Sequence, residues 1–441
     1  MTTEEAVQSA WRILQAARPA LPGRADLTAE IADAAAAQAR GYFLPDEDER
    51  VREVYVRYLA VRAGLWTMVR ELRRDLRGED LRVFGMAFCA AGMLMRSATF
   101  LLELAKDQPV VWQKLDEAEP RYGIERKSFT RIYANLGSPA WMWHYRMARR
   151  FYEVERVSIH ESLRAGGLGE MIPWLDQEEP NLRTRKRSIW SWVMAYRIHS
   201  LGRRSTSGYE KVMFQLFQIG GCAIAEMKQP FVKLPGAAKR TTKDVLESVQ
   251  SLLKPGDVFV TRHDDAMSNL FLPGYWPHAA LYLGNDDERT ALGLAALDDP
   301  SVRVLEAKKD GVKFRLLEET LQVDAFVVIR PRLASEHLRE ALNRAMTHAG
   351  KLYDFVFDFR KADRLVCTEV VYRAYHGVGP MHFQLTRRSG RLALSAEDLL
   401  RQGLEKGLFE VVLCFGVGDQ LIRFGKSADS RLRATLRRTR G

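Results

Sequence analysis

Three residues in the C-terminal half have the types and settings that nucleophilic catalysis needs. Cys367 opens the run Val366-Cys367-Thr368-Glu369-Val370-Val371-Tyr372-Arg373-Ala374-Tyr375, in which Val370, Val371, Ala374 and Tyr375 are spaced for one buried helical face and which Gly377 ends. A thiol at a helix N-terminus meets unsatisfied N–H groups and the positive end of the macrodipole, both of which favour the thiolate. His278 begins the strand-like run His278–Gly284, and Glu306 lies in the next such run, Val302–Ala307. On adjacent antiparallel strands the two can stand opposite one another, so that the carboxylate holds the imidazole and fixes its tautomer. A thiolate, a base and a group that orients the base make up the logic of a catalytic triad with cysteine as nucleophile.

Singly, each signal is weak, because a cysteine in an apolar helix is most often a small buried hydrophobe. Their order is more specific. Pro255-Gly256-Asp257-Val258 leads into His278-Ala279-Ala280-Leu281-Tyr282-Leu283-Gly284, then come Leu305-Glu306-Ala307, Gly350-Lys351-Leu352-Tyr353-Asp354-Phe355 and finally Val366-Cys367-Thr368-Glu369. Over roughly Leu252 to Gly418 this resembles the circularly permuted papain-like cysteine hydrolases of the NlpC-related class, in particular the YiiX/YaeF-like amidases. It is similar, more distantly, to the lecithin:retinol acyltransferase group. The resemblance implies His278 preceding Cys367 in the chain, Glu306 as the third polar residue, and Tyr353 and Asp354 shaping the substrate pocket. Thr368 stands where the family commonly has serine, with the hydroxyl kept. The reaction implied is attack of the Cys367 thiolate on an acyl or amide carbonyl through a thioester. A lipid-directed acyltransferase or phospholipase with the same triad is one alternative. A non-catalytic membrane- or partner-binding scaffold is the other.

The elements that must hold these residues differ between the two halves of the chain. From Thr3 to about Gly202 the apolar residues recur with helical period, in segments Glu4–Ala17, Leu27–Tyr42, Asp46–Leu76, Asp80–Lys106, Val110–Glu119, Arg126–Leu136, Pro139–Leu163 and Arg183–Leu201. Asp26 and Ser138 read as helix caps. After Lys239 short runs rich in Val, Leu, Phe and Tyr alternate with turn residues, and helices return at Ser335–Gly350, Cys367–Tyr375 and after Ser395. The expected class is α+β: an all-α helical bundle at 1–202, a linker at 203–239 around the apolar stretch Val212–Met227, a permuted papain-like antiparallel sheet domain with flanking helices at 240–425, and a basic tail at 426–441.

At 441 residues the chain exceeds one compact core. Its four cysteines have no CxxC spacing, so neither a disulfide framework nor a structural zinc site is expected, and His263-Asp264-Asp265 reads as a polar loop. Gly418 and Gly425 enclose six residues where a phosphate loop needs four. The chemistry calls for no cofactor and no metal. The start of the chain lacks a basic and then apolar leader, so a cytoplasmic location is the expectation, and Val83–Met95 reads as a core helix rather than a membrane span. The net charge of +11 concentrates in two places. Between Asn181 and Tyr209 seven Arg/Lys and no acid interleave with aromatic rings, and Ser430–Gly441 holds five arginines and no acid. Arg183, Arg185, Lys186, Arg187, Trp190 and Trp192 would suit an anionic membrane surface, with the protein peripheral to it, while a nucleic-acid partner is disfavoured.

Overall fold

The computed structural model describes residues 3–21, 25–72, 80–105, 107–136, 139–177, 239–264, 274–388 and 391–438. The expected helix at 183–201, the basic and aromatic stretch, the linker with its Val212–Met227 run, and Ser138 fall outside the described residues. Those residues divide into two compact units, Met1–Ala118 with Ile124–Ser207, and Glu119–Gly123 with Gly208–Gly441.

The first unit is helical: α1 (Thr3–Ala20), α2 (Thr28–Arg40), α3 (Pro45–Leu72), α4 (Leu81–Ala105), α5 (Pro109–Leu115), α6 (Ser128–Leu136) and α7 (Pro139–Ala165). Asp26 is not the cap of α2. It sits in a 3-10 turn, Ala25–Leu27, and Leu27 occupies the cap position without a side-chain bond. Nor does α5 reach Glu119: Asp116 ends it, its carboxylate accepting from Thr130 N at 2.7 Å and so tying the chain to the start of α6. α4 is long and apolar enough to cross a membrane by length and composition, and 67% of its most apolar window is buried inside the fold. Val83, Met86, Cys89, Ala90 and Met93 form its core face.

The strands of the second unit are β1 (Val258–Arg262), β2 (His278–Tyr282), β3 (Val304–Lys308), β4 (Gly311–Arg315), β5 (Ala325–Pro331), β6 (Leu352–Tyr353), β7 (Arg364–Leu365), β8 (Thr386–Arg388), β9 (Arg391–Ala393), β10 (Phe409–Phe415) and β11 (Arg423–Phe424). Seven of them form a sheet in the order β11-β10-β5-β1-β2-β3-β4 with every pairing antiparallel, while β6 pairs with β7 and β8 with β9. Alternation along each strand divides the core between two faces. Val258, Val260, Ala279, Leu281, Leu305 and Ala307 look to one side. Phe259, Ala280, Tyr282, Val304, Phe326 and Val328 look to the other. On the first side lie α8 (Ser335–Met346), α9 (Cys367–Tyr375) and α10 (Ala396–Glu405), the last opened by the capping box of Ser395 and Asp398.

The expected basic tail at 426–441 is instead the helix α11 (Gly425–Arg438) through most of its length. Ala428, Leu432 and Leu436, four residues apart, bury one face in the core on the side of the nucleophile helix. Thr435 accepts a 2.9 Å hydrogen bond from the indole N–H of the buried Trp276, while Arg431 and Arg433 stay partly exposed on the outside of the helix.

Candidate active site

Each of the three chemistry-bearing residues is placed by a different device. His278 is the first residue of β2, paired with Thr261 of β1. The strand is entered through Gly274-Tyr275-Trp276-Pro277, which is fixed twice: Tyr275 N donates to Glu397 of α10 at 2.9 Å, and Trp276 is held by Thr435 of α11. Gly274 adopts φ +93° with the Glu397 carboxylate pressed against it, so a side chain there would meet both left-handed strain and that carboxylate.

Glu306 comes from β3. The β2–β3 register pairs Leu281 with Leu305 and Tyr282 with Val304, and its continuation sets Glu306 across from Ala280. His278 and Glu306 are therefore diagonal rather than opposed, on one face and two residues out of register, a span that side chains of this length bridge. His278 Nε2 and Glu306 Oε1 are 2.7 Å apart. The other carboxylate oxygen accepts from Thr320 Oγ1 at 3.1 Å and from Lys308 Nζ at 2.8 Å, with Arg315 Nε at 3.4 Å. Burial alone would raise the Glu306 carboxyl. Hydrogen bonding and charge from His278, then Lys308, outweigh it and hold the group down at about 2. Sequence reasoning missed Lys308 and Arg315, although Glu306 and Lys308 two apart on one strand necessarily share a face.

Cys367 begins α9, whose nine residues are all buried, and which packs on the face of Ala279 and Leu281. Its N-terminus lies at the start of β2. Because Nε2 serves Glu306, Nδ1 is the imidazole nitrogen that remains for the sulfur. Burial raises the Cys367 thiol, but the His278 charge and the polar influence of His278 and of the Ala279 and Thr368 backbone N–H groups more than offset it, and the net shift is downward. For His278, burial of a side chain still 23% exposed opposes the cation, while Cys367 and then Glu306 favour it strongly enough to push the group up to about 10. Both shifts favour the thiolate and the imidazolium.

Tyr353 and Asp354 reach this point through a short parallel pairing of β6 (Leu352–Tyr353) with β7 (Arg364–Leu365), which ends two residues before Cys367. Burial, then the negative charges of Cys367 and Asp354, raise the Tyr353 hydroxyl well above its usual value, so it stays protonated beside the sulfur. Asp354 is a turn builder. Its two oxygens accept from Val356 N at 3.0 Å and Asp358 N at 2.8 Å. Thr368 is 5% exposed, and its backbone N–H helps to lower the Cys367 thiol.

Beyond these, Glu369 and Arg373 were not singled out from the sequence. Arg373 Nε donates to Glu369 Oε1 at 2.8 Å, and its Nη2 donates to the carbonyls of Phe359 at 3.3 Å and Lys361 at 3.1 Å, tying the β6–β7 loop to the nucleophile helix. Among the described residues no group of three or more His, Cys, Asp or Glu side chains is arranged to hold a metal ion.

Among solved structures, the metalloprotein yiiX from Escherichia coli O157:H7 aligns at 19% identity over 40% of this chain and 90% of its own, with a TM-score of 0.24. No curated protein matches the chain. Residues 252–396 match the family described as permuted papain-like amidase enzyme, YaeF/YiiX, C92 family, and this part of the chain is thus similar to cysteine hydrolases of amidase or peptidase type.

Proposed function

We propose that the second unit breaks an amide or acyl bond by covalent catalysis at Cys367. The observation that carries this reading is the 2.7 Å bond between His278 and Glu306 beside a Cys367 thiol that the His278 charge lowers. The thiolate attacks the carbonyl carbon, and the carbonyl electron pair moves onto oxygen. That oxyanion forms at the start of α9, where backbone N–H groups have no helical acceptor. The His278 imidazolium then gives its proton to the departing amine or alcohol as the carbonyl re-forms, leaving a thioester on Cys367 and a neutral imidazole. Neutral His278 next takes a proton from water as that oxygen attacks the thioester. The acid departs and the thiolate–imidazolium pair returns.

Glu306 stays ionised throughout, fixing the imidazole and favouring its charged form. A thiol-directed activity probe tests the proposal on the full chain. The wild type should be labelled at Cys367 and Cys367→Ala should not, whereas Cys89→Ala and Cys414→Ala should label as the wild type does. Equal labelling of Cys367→Ala would sink the reading.

A further inference from the structure

The long helix α7 carries apolar side chains on both sides. Its inner face supplies Tyr152, Ile159 and Leu163, all fully buried in the core of the helical unit. On the outer side Trp143, Met147, Phe151 and Val154 are 60%, 51%, 42% and 72% exposed. At about 100° per residue these four fall within an arc of about 80°. Val157, 70% exposed, continues the row past the break in helical geometry at Glu155. Single exposed apolar residues need no explanation, but five along one stripe form a patch of the kind that marks an interaction surface.

The charge beside the stripe selects the partner. Along the stripe, between Trp143 and Val157, the sequence has Arg146, Arg149, Arg150 and Arg156 against Glu153 and Glu155, and both acids lie in its C-terminal third. Arg146 and Arg150 are exposed and run along one edge of the stripe, while Arg149 is engaged by Glu153 at 3.1 Å. Aromatic and aliphatic side chains bordered by arginine suit the headgroup and upper acyl region of a bilayer. There the rings and the methionine leave water while the guanidinium groups meet lipid phosphates. A second copy of the same face would set these arginines against each other. We infer that the outer face of α7 is a docking surface for an anionic membrane.

Vesicle co-sedimentation of the full chain tests this, with phosphatidylcholine vesicles alone and with phosphatidylglycerol added. The wild type should bind the mixed vesicles and not the neutral ones. Met147→Ser with Phe151→Ser should weaken binding about tenfold or more, with the circular dichroism spectrum unchanged. Each arginine near an anionic surface accounts for roughly a fivefold change in partitioning, so Arg146→Glu with Arg150→Glu should weaken it by at least about 25-fold. The inference is overturned if the wild type ignores anionic vesicles. It is also overturned if Met147→Ser with Phe151→Ser binds as the wild type does while Arg183→Glu with Arg185→Glu does not. A dimer in light scattering that the Met147→Ser, Phe151→Ser protein loses would assign the face to self-association instead.

Discussion

Glu369 offers the sharpest test of the electrostatics behind the nucleophile. Its carboxyl is fully buried, Oε1 accepts from Arg373, and Oε2 has no hydrogen-bond partner. Burial is the largest influence, the negative Asp354 adds to it, Arg373 opposes both, and the carboxyl is pushed up to about 8 from an ordinary 4.5. The folded state therefore keeps a proton that the unfolded chain releases. Stability from this group is complete below pH 4.5, declines as pH rises toward 8, and is flat above that. At 1.36 kcal/mol per unit, the span between 4.5 and 8 amounts to about 5 kcal/mol. Glu369→Gln keeps the oxygen that Arg373 needs and cannot ionise, so it should remove this slope. Amide exchange of peptides from α9, corrected for intrinsic rates, reads the opening free energy of this unit without interference from the helical one. The variant and the wild type should match near pH 5. The variant should then gain on the wild type by about 1.4 kcal/mol per pH unit up to about pH 8. Groups such as Asp257 and Asp354 titrate in both proteins and cancel in the difference. A constant difference across the range would refute the claim that Glu369 is held neutral.

Three further outcomes follow from the same geometry. Cys367 should be alkylated by iodoacetamide near neutral pH orders of magnitude faster than Cys414, whose thiol burial pushes up to about 12; comparable rates by peptide mass spectrometry would contradict the ion pair at the site. Glu306→Gln removes the charge that favours the His278 cation, so the pH at which Cys367 begins to react should rise and turnover should fall by about 10² to 10⁴, whereas an unchanged pH profile would show that Glu306 only packs. Thr435→Val leaves the buried Trp276 N–H without its acceptor and should cost about 1–3 kcal/mol, read as a lower unfolding midpoint, while no change would mean that α11 is not clamped there.

How far the sequence discloses this structure depends on whether a feature is local. Cys367 at a helix start and His278 at a strand start are local features, and the strands that carry His278 and Glu306 are plain from their Val and Leu content. The diagonal relation of His278 to Glu306 is a matter of register, set by which β2 and β3 residues pair, and a side-chain list cannot distinguish it from direct opposition. The loop that brings Tyr353 to the sulfur hangs on two residue pairs joined across a dozen positions, too short a pairing to leave a compositional trace. In α11 the arginines dominate the composition, so the segment reads as a solvated tail. The period of four through Ala428, Leu432 and Leu436 is the signal that outweighs them.

Glu369 and Arg373 show the same limit in reverse. Four residues apart on a helix, they read as an ordinary surface pair worth a few tenths of a kcal/mol. They are instead buried because α9 has the sheet on one side and the β6–β7 loop on the other, leaving it no solvent face. In that setting the pair ceases to be incidental. Burial leaves Glu369 protonated through neutral pH, so it serves the Arg373 guanidinium as a hydrogen-bond acceptor rather than as a counter-ion, and Arg373 also holds the carbonyls of the loop leading to Cys367. The loop's position, and with it the placing of Tyr353, thus depends on a buried arginine whose hydrogen bonds form only once the distant strands have assembled around it.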